Sequence, residues 1–313
     1  MNERKGAWIS SLAIAGKLLL TLFFAFLITV VLAFIAAVIV VVQHPELMSG
    51  HQQPEMIISR IVQDPIFTKG SMYAQFIGFV GSVFVSYVIF ERRNRWSIGL
   101  GTRFFGRRLG EGFAAGVILI SLSCGLIWIS RGVKLHAVEG GVLFSSDMLW
   151  GVFLFICVGI NEEMFARGYL QGLVNHRFGP RTGIAVSSLV FALLHAFNPG
   201  MWNNPLPVLN LLLAGLLFGV SREASGGLWM PIAMHFSWNF FQGNVYGFLV
   251  SGTQTKSVFH IQQQGPDWIS GGAFGAEGSL ITSMVLIGGI LAIRAYYRKQ
   301  SHYSSRLYTS IYK

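Results

Sequence analysis

The stretch Asn161–Gln171 reads NEEMFARGYLQ, and the rest of the chain is organised around it. It follows the apolar run Gly151–Ile160, yet it opens with the adjacent carboxylates Glu162 and Glu163 and places Arg167 four residues after the second. Charged side chains within such apolar sequence are costly unless they are paired or used. The stretch therefore indicates a functional site inside a membrane-spanning helix.

The composition indicates a protein that crosses a membrane several times. Of the 313 residues, 53% are hydrophobic and 12% are charged, whereas about 25% are charged in ordinary soluble domains. A net charge of +10 is explained by Lys- and Arg-rich cytoplasmic loops, so we predict no nucleic-acid partner. Cys124 and Cys157 both lie in apolar runs and do not indicate a structural disulfide.

Eight segments are apolar and long enough to cross, or nearly cross, a bilayer, which takes about 20 residues. They are Leu18–Val42, Met72–Phe90, Gly112–Ser130, Asp147–Asn175, Gly183–Phe197, Leu206–Ser221, Leu228–Val250 and Ser279–Tyr296. We predict an all-α polytopic membrane protein with about eight transmembrane helices and an active site between helices 4, 5 and 7. The predicted single membrane domain has three N-terminal helices in residues 1–141, the catalytic core in 142–250, and an outer loop, last helix and basic tail in 251–313.

The basic residues predict the orientation in the membrane. With a cytoplasmic N-terminus and alternating segments, 18 of the 23 Lys and Arg residues lie on the cytoplasmic side, so both termini are predicted to be cytoplasmic. The arginine-rich loop Glu91–Gly110 is interpreted as a topology determinant rather than a lipid-headgroup site. The outer loops His44–Ser71 and Ser251–Gly278 predict irregular structure or short amphipathic caps. The short loops and compact catalytic region favour a bacterial inner membrane.

Few titratable side chains lie within the predicted helices. Of 13 acidic residues only Glu162 and Glu163 lie mid-segment, and of 8 histidines only His195 and His235 are embedded in apolar sequence. Glu163 and Arg167 have the i,i+4 spacing, acid first, that favours an ion pair. Glu162 points about 100° away around the helix and is free to face a cavity. We therefore predict that Glu163 is structural and that Glu162 is a general base.

His235 and Asn239 are one helical turn apart and can polarise a carbonyl, bind an oxyanion or help to hold a metal. His195 could orient a water molecule beside Glu162. Glu162, His195 and His235 also form a plausible ligand set for a divalent metal such as Zn²⁺. A single buried histidine or a Glu–Arg pair is usually structural, but that explanation fits poorly for polar groups on three helices at matching depth.

Three motifs resemble those of the CPBP family, which contains CaaX prenyl proteases and bacteriocin-processing or immunity proteins of the abortive-infection type. They are Glu162-Glu163-x-x-x-Arg167, Phe191-x-x-x-His195 and His235-x-x-x-Asn239, in this order on successive apolar helices. The resemblance covers about Asp147–Val250 and implies an eight-helix intramembrane endopeptidase. By similarity, Glu162 would activate water with help from His195. His235 and Asn239 would stabilise the oxyanion, with Glu163 and Arg167 supporting the site.

The predicted function is thus hydrolysis of a peptide bond in a lipidated, C-terminal or membrane-inserted substrate. The predicted partners are a peptide or membrane-protein substrate and the lipid bilayer, and a divalent metal, Zn²⁺, is left open. The alternative is a non-catalytic membrane scaffold or bacteriocin-immunity protein that binds a peptide partner. Nothing in the sequence favours a third option, a proton-coupled transporter.

Overall fold

The structure is a computed structural model that describes residues 2–48, 53–94, 96–138 and 145–311, with side chains described between residues 10 and 299. It is 77% helical. The chain divides into two compact units, residues 1–96 and 97–313. The single membrane domain predicted from the sequence stays a prediction, and its internal boundary at residues 141 and 142 lies outside the described residues.

The first unit consists mainly of two long helices that run antiparallel. Its elements are α1 (Asn2–Gln43), a 3₁₀ turn (Pro45–Met48), α2 (Pro54–Gln63), α3 (Pro65–Ser86) and a π-helical turn (Tyr87–Glu91). The hydroxyl of Thr21 donates to Oγ of Ser86 over 2.8 Å, and the ammonium group of Lys17 contacts the Glu91 carboxylate. These polar contacts join the first half of α1 to the end of α3 and to the π-helical turn that follows it.

The second unit contains the three sequence motifs. Its elements are α4 (Phe105–Ile129), β1 (Val133–Ala137), α5 (Ser146–Glu163), a π-helical segment (Met164–Gln171), α6 (Gly172–Phe178), α7 (Pro180–Leu194), α8 (Leu206–Ser225), α9 (Trp229–Phe240), a π-helical turn (Phe241–Val245), β2 (Phe259–Gln263), α10 (Asp267–Ser270), two 3₁₀ turns (Gly272–Phe274 and Ala276–Gly278) and α11 (Leu280–Ile311). Helix α9 packs against α4, α5 and α8, and α8 also packs against α7 and α11. The buried apolar core follows these contacts and includes Ile120, Phe191 and Trp238.

Helices α7 and α8 approach each other closely because small residues face one another. A Cβ atom added to Gly215 of α8 would lie 2.7 Å from Cα of Ser188 on α7. Glycine at this position therefore lets the two backbones come together, as small residues do in membrane helix pairs. This close approach brings the α7 and α8 side chains next to the site described below.

In the part of the chain that the structure describes, six helices are long and apolar enough to cross a membrane. They are Ser10–Gln43, Pro65–Glu91, Phe105–Ile129, Ser146–Phe178, Leu206–Ser225 and Leu280–Lys299. The predicted helical class is confirmed, whereas the number of eight spans and the placement of the site between spans 4, 5 and 7 stay predictions. The fifth predicted span is the 15-residue helix α7, about 22 Å long at 1.5 Å per residue. The seventh is the 12-residue helix α9 with the π-helical turn that follows it.

The predicted outer loops contain more regular structure than their sequences indicate. Strand β2 of the second loop pairs antiparallel with β1, which lies between α4 and α5, with Leu135 opposite Ile261. Helix α10 and the two 3₁₀ turns follow β2 in that loop. In the first outer loop, α2 fits the short amphipathic helix that was predicted, while residues 49–52 of that loop lie outside the described residues. The sheet was missed because it pairs two five-residue strands that are far apart in sequence.

Candidate active site

The central stretch of the motif region is π-helical, which the sequence did not predict. Helix α5 ends at Glu163, and the chain continues through Met164–Gln171 in a π-helix before α6 begins. All eight residues of this segment are buried. A π-helical insertion in an α-helix widens it locally and is frequently found at functional sites.

Glu163 and Arg167 form the predicted ion pair. Nη1 of Arg167 donates to Oε1 of Glu163 over 2.9 Å, and neither side chain has any exposed surface. Nη2 of Arg167 donates to the Gly215 carbonyl over 3.2 Å, and the guanidinium lies 4.2 Å from the centre of the Phe191 ring. A buried ion pair is favourable only when such additional contacts replace its lost hydration.

His235 is held between the two carboxylates of the motif. Its Nδ1 lies 2.9 Å from Oε1 of Glu163, so Glu163 binds His235 as well as Arg167. Its Nε2 lies 3.9 Å from Oε2 of Glu162. The sequence predicted the pairing of Glu163 with Arg167 but not its hydrogen bond to His235. Glu163 therefore connects the α5 motif directly to the α9 motif.

His195 lies just after the end of α7, and not inside the helix as the predicted segment Gly183–Phe197 would have it. The helix ends at Leu194, and His195 is its C-terminal cap. Nδ1 of His195 lies 2.8 Å from the Phe191 carbonyl and must donate, because a carbonyl can only accept. This bond turns Nε2 toward Glu162, with 3.7 Å between Nε2 and Oε2.

Glu162 faces both imidazoles and keeps one oxygen without a partner. One third (33%) of its side chain is exposed, but Oε2 is buried and has no hydrogen-bond partner among the described residues. The two Nε2 atoms lie beyond hydrogen-bond distance of Oε2, a separation that one bridging water molecule can span. The structure thus brings Glu162, His195 and His235 together around one point.

Two buried asparagines lie close in sequence to these residues. Asn239, predicted from the sequence, lies one turn after His235 on α9, and both side chains are only 5% exposed. Asn161, which sequence reasoning missed, has a buried Oδ1 without a hydrogen-bond partner among the described residues. The signal for Asn161 was available, because it is a polar residue next to Glu162 at the end of an apolar run.

Phe218 on α8 is a second residue that sequence reasoning missed. Its ring stacks on the His235 imidazole, with 4.8 Å between centres and 17° between planes. It also lies 5.2 Å from the guanidinium of Arg167. The signal was its position between Gly215 and Gly219, on a helix face whose glycines indicate close packing.

The residue types of the site fit a divalent metal, but their arrangement does not. One carboxylate and two imidazoles are common zinc ligands, and Nδ1 of each histidine is bound by an oxygen, as in many zinc sites. Within the parts of the chain that the structure describes, however, no group of three or more His, Cys, Asp or Glu side chains is arranged to hold a metal ion. The metal stays a prediction, and no reaction step below is derived through it.

Comparison with known proteins places the site inside a protease-like region. Residues 144–241 match the family model of the type II CAAX prenyl endopeptidases, Rce1-like. The chain is also similar to an uncharacterized 24.3 kDa protein of Escherichia coli, with 32% identity over 84 residues, which are 26% of this chain and 37% of that protein. The aligned part thus spans little more than a third of that relative.

The family match confirms the resemblance predicted from the three motifs, and it supports membership of this chain in the CPBP family. All six predicted site residues, from Glu162 to Asn239, lie within the matched residues 144–241. The family is one of proteases, which supports a peptidase. Together with the six apolar helices, the match indicates an integral membrane protein.

Proposed function

We propose that this protein is a CAAX-type intramembrane endopeptidase in which Glu162 activates the attacking water. One observation carries the proposal. Oε2 of Glu162 is buried without a hydrogen-bond partner among the described residues, and the Nε2 atoms of His195 and His235 lie 3.7 and 3.9 Å from it. A polar atom kept unpaired in an apolar region is costly, which favours a role for it in binding water.

In the proposed reaction, Glu162 takes a proton from a water molecule that is held between its carboxylate and His195. The oxygen of this water forms a bond to the scissile carbonyl carbon, and the carbonyl electrons move onto its oxygen. The proton held by Glu162 then passes to the leaving nitrogen as the C–N bond breaks. General acid–base catalysis of this kind contributes about 10²- to 10⁴-fold.

The negative oxygen of the intermediate needs nearby donors, and His235 and Asn239 are the proposed ones. Nδ1 of His235 is bound by Glu163, so a protonated ring can still donate from Nε2. The Asn239 amide, one turn further along α9, supplies a second donor. Glu163 and Arg167 are proposed to hold the His235 ring in place rather than to contact the substrate.

The divalent metal predicted from the sequence, with Glu162, His195 and His235 as its ligands, stays a prediction that the metal analysis below tests. The roles proposed for the side chains above do not depend on it.

We further propose the setting in which this reaction takes place. The substrate would be a lipidated, C-terminal or membrane-inserted peptide segment, because Glu162 follows the apolar run Gly151–Ile160 on a helix long and apolar enough to cross a membrane. The protein would lie in a bacterial inner membrane with both termini in the cytoplasm, in agreement with the distribution of Lys and Arg.

A peptidase assay combined with metal analysis tests the proposal. Wild type, Glu162→Ala and His195→Ala would be purified in detergent and given three fluorogenic peptides: a farnesylated C-terminal peptide, the same peptide without the lipid, and an apolar membrane-spanning peptide. Wild type should cleave at least one of them, and both variants should lose about 10²-fold or more. Metal content and chelator sensitivity are measured in the same samples.

The matched control is His176→Ala, which removes an exposed histidine on α6 outside the site and should leave cleavage unchanged. If wild type cleaves none of the peptides, and Glu162→Ala keeps the cellular phenotype of wild type, the protein is a scaffold or immunity protein. Equal loss of activity in His176→Ala would instead show that the assay reports on folding.

A further inference from the structure

The outer segment between α9 and α11 contains a buried carboxylate that the proposed reaction does not use. Glu277 is 9% exposed and lies outside the residues 144–241 that match the protease family. Its Oε2 accepts hydrogen bonds from the backbone N–H and the hydroxyl of Ser251, both over 2.8 Å. Hydrogen bonds to an ionised carboxylate are stronger than those between neutral groups.

The backbone of Glu277 is fixed to two helices of the second unit. The Asn210 amide of α8 donates to the carbonyls of Glu277 and Ser279 over 2.7 and 2.8 Å. Ser283 of α11 in turn donates to Oδ1 of Asn210 over 2.6 Å. Glu277 is therefore a rigid attachment point, because both helices that hold it belong to the packed core.

Ser251, the residue that Glu277 binds, has an unusual backbone conformation. Its φ is 47°, in the left-handed region that residues other than glycine rarely adopt without support. The two hydrogen bonds that Ser251 donates to Glu277 supply that support. In this conformation the Ser251 carbonyl accepts a hydrogen bond from the Asn198 side chain over 3.2 Å.

The Asn198 bond connects the outer segment to the loop that carries His195. The backbone N–H of Asn198 donates to the His195 carbonyl over 2.9 Å. The two segments also touch directly, since a Cβ atom on Gly252 would lie 2.1 Å from the Pro199 carbonyl oxygen. His195 lies beyond the last residue of α7, so this loop fixes its backbone on the C-terminal side.

We propose that Glu277 is a positioning residue for His195: by holding Ser251, it fixes the loop of residues 195–203 and thereby the His195 imidazole beside Glu162. The outer segment Ser251–Ser279 then acts as a brace for the catalytic loop. The catalytic part of this proposal rests on the proposed peptidase function, whereas the bracing of the loop can be measured without any activity.

Hydrogen–deuterium exchange tests the brace directly. Glu277→Gln keeps the size of the side chain and removes its charge, and amide exchange in residues 195–203 should rise about tenfold or more through local opening. The matched control is Asp267→Asn, the same chemical change at the exposed Asp267 of this outer segment, and it should leave exchange there unchanged. If Glu277→Gln misfolds, Asn198→Ala is used in its place, because it removes the hydrogen bond from Asn198 to the Ser251 carbonyl and leaves the buried carboxylate intact. It should give the same rise in amide exchange.

Activity measurements then test whether the brace acts through His195. Glu277→Gln should lower kcat about 10- to 100-fold at nearly constant KM, because small displacements of a catalytic group have large effects. In a His195→Ala background the same change should lower the remaining activity less than about twofold, since coupled residues are not additive.

The two proposals fail in different ways. Unchanged exchange in residues 195–203 for both Glu277→Gln and Asn198→Ala overturns the brace, whether or not the protein is active. An equal fall in kcat with and without His195 overturns its action through His195. Absence of cleavage by wild type overturns the proposed function, and the exchange data alone then decide whether the brace exists.

Discussion

Each compact unit contains a buried acidic site, and the two sites differ in how completely their oxygens are paired. In the first unit, the Glu91 side chain has no exposed surface, and both of its carboxylate oxygens have partners. One oxygen binds Lys17, and the other accepts from Asn94 over 2.8 Å and from Trp96 over 2.9 Å. In the second unit, Oε2 of both Glu162 and Glu163 is buried without a hydrogen-bond partner among the described residues.

This difference separates a structural carboxylate from a candidate catalytic one. Buried polar atoms are nearly always hydrogen-bonded, and each exception needs a reason. Glu91 joins the end of the α3 segment to Lys17 in the first half of α1, and both of its oxygens are paired. Glu162 retains an unused acceptor atom that lies 3.7 and 3.9 Å from the Nε2 atoms of His195 and His235, whereas the other oxygen of Glu163 already binds Arg167 and His235.

We expect the largest loss of activity from substitution of Glu162. Glu162→Gln should lower kcat about 10³-fold, or about 4 kcal/mol in the activation barrier. The unfolding temperature should stay close to that of wild type, because Oε2 has no hydrogen bond to lose. Steady-state peptidase kinetics and thermal unfolding in detergent measure the two quantities on one sample. A large fall in unfolding temperature would instead make Glu162 structural, as we take Glu91 to be.

The next effect is expected in stability, at Glu163. Glu163→Gln leaves the Arg167 guanidinium buried without its charged partner, which should destabilise the protein by about 3–5 kcal/mol. The control is the double variant Glu163→Gln with Arg167→Met, which removes both charges and should regain part of the unfolding temperature. Its activity should stay low, because His235 has lost the carboxylate at Nδ1. Recovery of activity together with stability would contradict the link from Glu163 to His235.

The sequence predicted the parts of this site that depend on local spacing. The Glu163–Arg167 pair follows from an i,i+4 spacing, and the polar residues stand out because their apolar surroundings are contiguous in sequence. The hydrogen bond between Glu163 and His235 and the stacking of Phe218 were missed, since both depend on which faces of distant helices meet. The catalytic roles of these residues stay predictions.

Non-local structure was also missed elsewhere in the chain. The Lys17–Glu91 pair joins residues with no spacing relation, so each was interpreted only as part of a loop or segment end. Helix α7 was predicted to include His195, but it ends at Leu194 where the chain turns into the Asn198-Pro199-Gly200 loop. These features result from tertiary contacts that periodicity and composition do not contain.

We expect that removing the contact between Glu91 and Lys17 lowers stability and leaves activity unchanged. Glu91→Gln should lower stability by about 1–3 kcal/mol, because the buried Glu91 side chain loses its charge-assisted hydrogen bond to the half-buried Lys17. Below the unfolding temperature, kcat should stay within about twofold of wild type, the scatter expected of changes at independent sites. Lys17→Met removes the other partner and should give a similar shift in unfolding temperature. Loss of activity in the folded Glu91→Gln protein would show that this carboxylate has a role beyond packing.

The smallest effect is expected at Phe218, which stacks on His235 without offering it a hydrogen bond. Phe218→Leu keeps an apolar side chain but removes the ring, so the imidazole should lose its fixed plane. An aromatic contact contributes about 0.5–1.5 kcal/mol beyond its area, which converts to a fall in kcat of up to about tenfold. KM should change little, because Phe218 is proposed to position His235 and not to bind substrate.

Two further variants decide whether the ring or merely the packing at Phe218 matters. Phe248 is as buried as Phe218, at 3% exposed, so Phe248→Leu measures the effect of the same truncation elsewhere in the unit. Phe218→Tyr keeps the ring and should retain most of the kcat that Phe218→Leu loses. If Leu and Tyr at residue 218 lower kcat equally, or if Phe248→Leu lowers it as much, then His235 is oriented by Glu163 alone.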